Sequence, residues 1–355
     1  MTSLHFAIAC GGTGGHVLPG VAVGQVLRGR GHEVVLWLSG RPVEDAALGE
    51  WDGPVFRTGA RPLAPRTLLR LPAATVRCWQ RLRLDRPSAL LAMGCYTSVP
   101  PVLAARWRGV PVVLHEANAV PGKAFEWLGR LACARAYSFE PPAGAGAAGT
   151  FRTGLPLRAG LAGRPPLPGF RSSGGFTVLV TGGSQGAHAL NLAVAETAEC
   201  LARRDGTSGW RLIHQTGTAD AEAIRARYAA AGIEALVFPF LSDIGAAYAA
   251  ADWAVCRSGA GTCAELCLCG PPALLVPLPT AARDHQRANA AELARAGAAD
   301  VLDPKDLTAA RLLECLDAAR RDTARRDAMR AALRAQARPD AAAQVADLME
   351  RFARS

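Results

Sequence analysis

The chain has 355 residues, about twice the usual domain length, so two cores are expected rather than one. Half of the residues are hydrophobic and 6% aromatic, with 37 Gly and 24 Pro, a balance that excludes disorder and suits an α/β protein with many tight turns. The net charge is +10, and Lys123 and Lys305 are the only lysines among 40 basic residues, so arginine carries nearly all of it; nucleic acid, an anionic membrane leaflet and phosphorylated substrates all remain open as partners.

From the N-terminus, residues 4 to 9 read as a buried strand running into Gly11-Gly12-Thr13-Gly14-Gly15-His16 and a helix. Ile8-Ala9-Cys10-Gly11 resembles the end of a lipoprotein signal, but no basic residue precedes it and the apolar run is too short, so no leader is expected. A second strand is expected at 33 to 38. Residues 57 to 86 then hold eight arginines and one acid, Asp85. From 73 to 84 the spacing puts Cys78, Trp79 and Leu82 on one helix face, flanked by Arg77, Arg81 and Arg83. That pattern fits either a helix lying on an anionic interface or one packed on its own sheet. Strands near 89 to 93, 111 to 115 and 135 to 139 complete the first half, with His115-Glu116-Ala117-Asn118 at the end of one of them.

Residues 141 to 175, crowded with Gly, Pro, Ala and Arg, read as a linker. The second half repeats the first: strand 176 to 181 runs into Gly182-Gly183-Ser184-Gln185-Gly186 and a helix. Further strands are expected near 210 to 214, 235 to 239, 252 to 256, 273 to 277 and 299 to 302. Arg257-Ser258-Gly259-Ala260-Gly261-Thr262-Cys263-Ala264-Glu265 opens another helix after a strand, placing a carboxylate where it can accept both hydroxyls of a ribose. Arg283-Asp284-His285-Gln286-Arg287-Ala288-Asn289 supplies polar groups at the same sheet edge, where α/β proteins bind ligands. The expected division is an N-terminal domain, 1–158, to which 339–355 returns after Pro339, and a C-terminal domain, 159–338.

The glycine turns let backbone N–H groups approach an anion at a helix N-terminus, so two of them suggest an anionic ligand held between two domains. Gly11 to His16 does not spell Gly-x-Gly-x-x-Gly, and Ser39-Gly40-Arg41 stands where a nicotinamide enzyme needs a ribose-binding acid. No Gly-Lys-Ser/Thr follows either turn, which excludes a P-loop kinase. The ten cysteines have no framework spacing and read as core thiols of a reducing compartment, and Cys263, Cys267 and Cys269 read as helix packing rather than a metal site. No Asp-x-Asp pair occurs, so turnover without a metal is expected, and no apolar run is long enough to span a bilayer.

Taken together, Gly11 to His16, His115 to Asn118, Gly182 to Gly186 and Arg257 to Ala260 closely resemble the MurG family of N-acetylglucosaminyltransferases, in order and over the whole chain. The resemblance implies two Rossmann-like α/β domains facing across a cleft, the GT-B arrangement. It implies an inverting transfer of N-acetylglucosamine from UDP-N-acetylglucosamine to the 4-hydroxyl of the muramoyl sugar in an undecaprenyl-pyrophosphate-linked peptidoglycan precursor, with no cofactor. His16 would serve the chemical step, either as the base or as a donor that orients the acceptor, with Asn118 and Glu116 in reserve. Thr13, Gly14, Gly15, Arg158, Ser184, Gln185, Gly186, Leu241, Ala260, Gly261, Thr262, Glu265, His285 and Gln286 would bind substrate, chiefly the donor. Arg77, Trp79, Arg81 and Leu82 would face the membrane or acceptor at the cytoplasmic face of the inner leaflet, and no nucleic acid partner is expected. The chain departs from the family at Cys95, Val99, Leu155, Gly261 and His285. A transferase acting on diacylglycerol, a UDP-sugar epimerase and a non-catalytic UDP-sugar sensor are the rival readings.

Overall fold

The computed structural model describes residues 3–49, 51–61, 70–144, 149–170, 175–183, 186–204 and 206–353. The chain divides into two compact units, residues 1–159 with 338–355, and residues 160–337. In the first, strands and helices alternate: β1 His5–Ala9, α1 Gly14–Gly29, β2 Glu33–Leu38, α2 Pro42–Leu48, β3 Val55–Arg57, α3 Leu71–Leu84, β4 Ala89–Ala92, α4 Val99–Arg108, β5 Val112–Glu116, α5 Lys123–Leu128, β6 Ala134–Tyr137 and β7 Thr150–Arg152. All pairings are parallel, in the order β3-β2-β1-β4-β5-β6-β7. β4 is apolar throughout and β1 is apolar from Phe6 to Ala9 because both sheet faces are covered. Phe6 and Ile8 of β1 enter one core, and Ala7 and Ala9 enter the other.

The second unit repeats the plan with β8 Phe176–Thr181, α6 His188–Arg204, β9 Trp210–Gln215, α7 Ala221–Ala230, β10 Glu234–Phe238, α8 Ile244–Ala250, β11 Trp253–Cys256, α9 Ala260–Cys269, β12 Ala273–Leu275, α10 His285–Arg295, β13 Asp300–Val301, α11 Ala309–Arg321 and α12 Thr323–Gln336. Its parallel order is β10-β9-β8-β11-β12-β13. Side chains start several helices: Thr308 accepts from the Arg311 amide, Asp322 from Arg325 and Asp243 from Ala246. The last helix, α13 Ala341–Phe352, packs on α1 in the first unit, burying Val345, Ala346, Leu348 and Met349. Arg30 bridges Asp347 and Glu350 at 2.8 Å each.

In each sheet the strand order reverses direction beside the first strand, between β1 and β4 and between β8 and β11. Ligands of doubly wound sheets bind at that reversal, beyond the strands' C-terminal ends. Two short edge strands, β3 and β7, were not expected; β7 lies inside the stretch read as linker and extends the first sheet beside β6. A three-residue edge strand has too few alternations to show in a pattern, and only its pairing reveals it.

Leu82 and Trp79 need correction as membrane-facing residues. Leu82 is fully buried with Cys78 against the first sheet, and half-buried Trp79 packs on the same core under the guanidinium groups of Arg83 and Arg108. Arg81 is tied to Asp85 at 2.5 Å. The apolar stripe of α3 is its packing face, because covering a parallel sheet consumes that stripe first.

Helix α1 lies so close to β1 that a Cβ on Gly20 would sit 2.4 Å from the Cβ of Cys10. Gly20→Ala is therefore expected to lower stability by about 2 kcal/mol through overpacking, read as an earlier midpoint in urea unfolding. An unchanged midpoint would mean that α1 slides freely on its sheet.

Candidate functional site

The first unit gathers His16, His115, Glu116 and Asn118 at the C-terminal edge of its sheet, from the turn after β1 and the end of β5. Thr13 is the N-cap of α1, and its hydroxyl lies 3.0 Å from Nδ1 of the half-buried His16. The turn between them is supported by a residue that local motifs did not reveal. Glu44 is fully buried, and its carboxylate accepts from the amides of Gly12 at 2.5 Å, Gly40 at 2.8 Å and Arg41 at 3.1 Å, and from the Ser39 hydroxyl. The Gly12 carbonyl accepts from Arg41 Nη1 at 2.9 Å. The signal was a Glu two residues into a helix after Arg41-Pro42, but nothing local says that it reaches back 32 residues.

The departure at Cys95 is part of the same support: its thiol donates to the Gly11 carbonyl at 2.9 Å, beside the Thr97 hydroxyl at 2.6 Å. Val99 and Leu155 are both buried in the first unit. Glu116 is the last residue of β5. It is buried, Oε1 accepts from the Asn118 amide at 2.9 Å and Oε2 from the Gly122 amide at 2.9 Å, so it anchors the loop that carries Asn118. Burial raises its pKa against the opposing pull of those hydrogen bonds. His115 is fully buried, with Nε2 donating to the Gly154 carbonyl at 3.0 Å, and burial pulls its pKa down to about 4, with a smaller push from nearby His16. Arg158 lies exposed where the chain leaves this unit.

In the second unit, Gly186 follows β8, Leu241 is buried after β10, and Ala260, Gly261 and Thr262 form the first turn of α9, capped by Gly259. Ser184 and Gln185 lie outside the described residues. Glu265 is half-buried and accepts from the Tyr248 hydroxyl at 2.9 Å, so it is held in one orientation rather than solvated. The starts of α9 and α10 are joined by Ser258, whose hydroxyl donates to the Gln286 carbonyl at 2.8 Å and whose carbonyl accepts from Asn289 at 3.0 Å. Gln286 Oε1 accepts from the Leu278 amide at 3.0 Å, leaving its amide N–H groups to point elsewhere. His285 Nδ1 donates to the Ala282 carbonyl at 2.7 Å, which leaves Nε2 as an acceptor.

Arg257 belongs with this group although it was read only as part of a motif. Its guanidinium is buried and donates to the carbonyls of Val276 at 3.1 Å and Pro277 at 3.0 Å, while Nε has no hydrogen-bond partner. Burial lowers its pKa, and among the described residues no carboxylate pairs with it. The two glycine turns thus differ in charge: a buried carboxylate lies under the first, and a buried guanidinium without a counter-ion lies at the edge that carries the second.

His115 and His214, one buried in each unit and held at about 4 and about 3, are expected to make folding pH-dependent. Their folded values lie below the unfolded value near 6.5, so their contribution is complete above that pH and is lost as pH falls toward the folded values. Between pH 7 and pH 5 each should cost about 2 kcal/mol, and replacing either by a neutral residue should flatten the urea stability profile in that window. A profile that is flat from pH 7 to 5 in the wild type would contradict their burial as neutral rings.

Residues 6–137 match the glycosyltransferase family 28 N-terminal domain and residues 177–345 the family 28 C-terminal domain. A relative from Solibacter usitatus, named UDP-N-acetylglucosamine--N-acetylmuramyl-(pentapeptide) pyrophosphoryl-undecaprenol N-acetylglucosamine transferase, is 40% identical over 99% of this chain and 97% of its own length. One of the same name from Halorhodospira halophila is 41% identical over 98% of both. The crystal structure of Acinetobacter baumannii MurG superposes with a TM-score of 0.80 at 30% identity, covering 98% of this chain and 99% of that one.

Proposed function

The chain belongs to glycosyltransferase family 28, and we propose that its second unit holds the UDP-sugar and its first unit the acceptor sugar. The activity is transfer of N-acetylglucosamine from UDP-N-acetylglucosamine to the N-acetylmuramyl-(pentapeptide) pyrophosphoryl-undecaprenol acceptor. The observation that carries the division of labour is the opposite sign of the buried charges beside the two glycine turns, Glu44 at the first and Arg257 at the second. A diphosphate is favoured where Arg257 and the N-terminus of α9 supply positive potential, and disfavoured over Glu44.

In this reading Glu265, aimed by Tyr248, accepts the ribose hydroxyls, and Leu241 offers backbone to the uracil. Gln286 and His285 offer donor and acceptor groups to the transferred sugar. His16 takes the proton from the acceptor's 4-hydroxyl as that oxygen attacks the anomeric carbon in a single inverting displacement, and UDP departs toward backbone amides and Arg257. Thr13 orients the His16 ring, and Asn118, held by Glu116, positions the acceptor.

No helix of the described residues is long and apolar enough to cross a membrane. With Leu82 and Trp79 committed to the core, contact with an anionic leaflet at the cytoplasmic face falls to the outer surface of the same helices. Leu84 is 83% exposed at the end of α3 and Trp107 67% exposed near the end of α4, and the two helix ends are linked by Arg86, which donates to the Gly109 carbonyl, with Arg83 and Arg106 in their last turns. Arginine beside exposed tryptophan suits a headgroup interface.

Purified protein given UDP-N-acetylglucosamine and a short-chain lipid-linked muramoyl acceptor is expected to release UDP. Glu265→Ala should weaken UDP binding by about 2 kcal/mol, roughly thirtyfold, by calorimetry. His16→Ala should lower kcat about a hundredfold or more with donor affinity retained. A folded His16→Ala enzyme with kcat near wild type excludes the base role. Leu84→Ser with Trp107→Ser should abolish salt-sensitive sedimentation with anionic vesicles, and binding that survives both changes would place the membrane surface elsewhere.

A further inference from the structure

The glycine turn after β8 is held at Gly183, whose carbonyl accepts from Gln215 Nε2 at 2.9 Å and whose amide donates to the Thr181 hydroxyl at 3.2 Å, and it rests on backbone at its far end. At Gly186, where φ is +76°, an added Cβ would lie 1.9 Å from the Thr216 carbonyl oxygen, so the turn sits directly on the chain leaving β9. That carbonyl is held by Asn191, a fully buried residue of α6, whose Nδ2 donates to Thr216 O at 2.8 Å and to Asp220 Oδ2 at 2.7 Å.

The donor direction along the whole chain of bonds follows from these two contacts. Asn191 spends its amide hydrogens on a carbonyl and a carboxylate, so its Oδ1 accepts, and His214 Nε2, 3.0 Å away, carries the ring proton. His214 Nδ1 then accepts from the Tyr228 hydroxyl at 2.6 Å. Burial keeps this histidine neutral, with a pKa pushed down to about 3, so the arrangement persists at neutral pH. At the far end burial works against the Asp220 carboxylate, but hydrogen bonds from Asn191 and His188 outweigh it and hold its pKa below the usual range. His188, in the first turn of α6, sits 2.9 Å from it. The bonds thus run one way, from Tyr228 through His214 to Asn191 and out to Thr216 and Asp220.

We propose that Asn191, oriented by His214 and Tyr228, is the positioning residue for Gly186 at the end of the glycine turn and sets the aim of the Gly186 backbone at the donor's diphosphate. Backbone donors act on an anion only when held to within about half an ångström, and Gly186 has no side chain of its own to hold it. Only an amide side chain makes this connection: two donors for Thr216 and Asp220, and one acceptor for His214. Aspartate cannot donate, and an aliphatic residue leaves the buried Thr216 carbonyl and His214 ring N–H unmatched and removes one of the bonds to Asp220. The inference rests on the reading that the second unit binds the UDP-sugar.

Inhibition constants for UDP and for uridine, measured against UDP-N-acetylglucosamine, separate positioning from loosening. Asn191→Ala and His214→Leu should each raise the UDP constant about tenfold, with the uridine constant and the acceptor KM within about twofold of wild type. His214→Gln, whose amide N–H replaces the ring N–H, should restore UDP inhibition to within about threefold of wild type. UDP and uridine constants that rise together, or a UDP constant unchanged in folded Asn191→Ala, would overturn the proposal. Should Asn191→Ala not fold, Tyr228→Phe removes one hydroxyl only and should raise the UDP constant about threefold, again without uridine following; no change there would equally overturn it. Wild-type protein that UDP does not inhibit would instead remove the donor assignment itself.

Discussion

A chain that turns sharply at the end of a buried parallel strand must satisfy its backbone groups while leaving the space above the sheet edge open. Both units meet this constraint at the same topological place and by different means. After β1 the turn is tied from below by the Glu44 carboxylate, with Cys95 and Thr97 donating to the Gly11 carbonyl. After β8 the turn lies on the Thr216 carbonyl, which the neutral amide of Asn191 holds.

The choice of support carries chemical consequences. A buried carboxylate beneath a turn consumes an amide that would otherwise meet a ligand and opposes negative charge above it. A neutral amide fixes backbone without adding charge, and Arg257 at the same edge contributes positive potential, with no carboxylate paired to it among the described residues. The duplicated topology therefore yields two unlike edges. In the reading proposed above, one takes the acceptor sugar beside His16 and the other the nucleoside diphosphate.

The basic helix α3 illustrates how one pattern can serve two surfaces. Cys78 and Leu82 are spent on the sheet, Arg81 on Asp85, and Trp79 on stacking beneath two guanidinium groups. What remains for an external partner is the outer edge, where Leu84 and Trp107 stand exposed among arginines from two different helices. A surface assembled from two helices has no period in either one, whereas the packing stripe of each does.

The order of strands and helices, the two glycine turns and the motifs at residues 115–118 and 257–265 were legible in the amino-acid sequence, because strand, turn and helix N-terminus are encoded within about ten neighbouring residues. Family membership followed from the same local groups. Tertiary structure alone decided that Glu44 reaches Gly12, that Asn191 reaches Thr216 and His214, that Tyr248 reaches Glu265 and that Glu116 holds the amides of Asn118 and Gly122. It also decided that β3 and β7 extend the first sheet, since three-residue strands exist only through their neighbours. Most of these contacts join side chains on different elements, and no periodicity records which carbonyl a distant amide will meet once two layers are packed; that depends on register and close approach, which only the folded chain possesses.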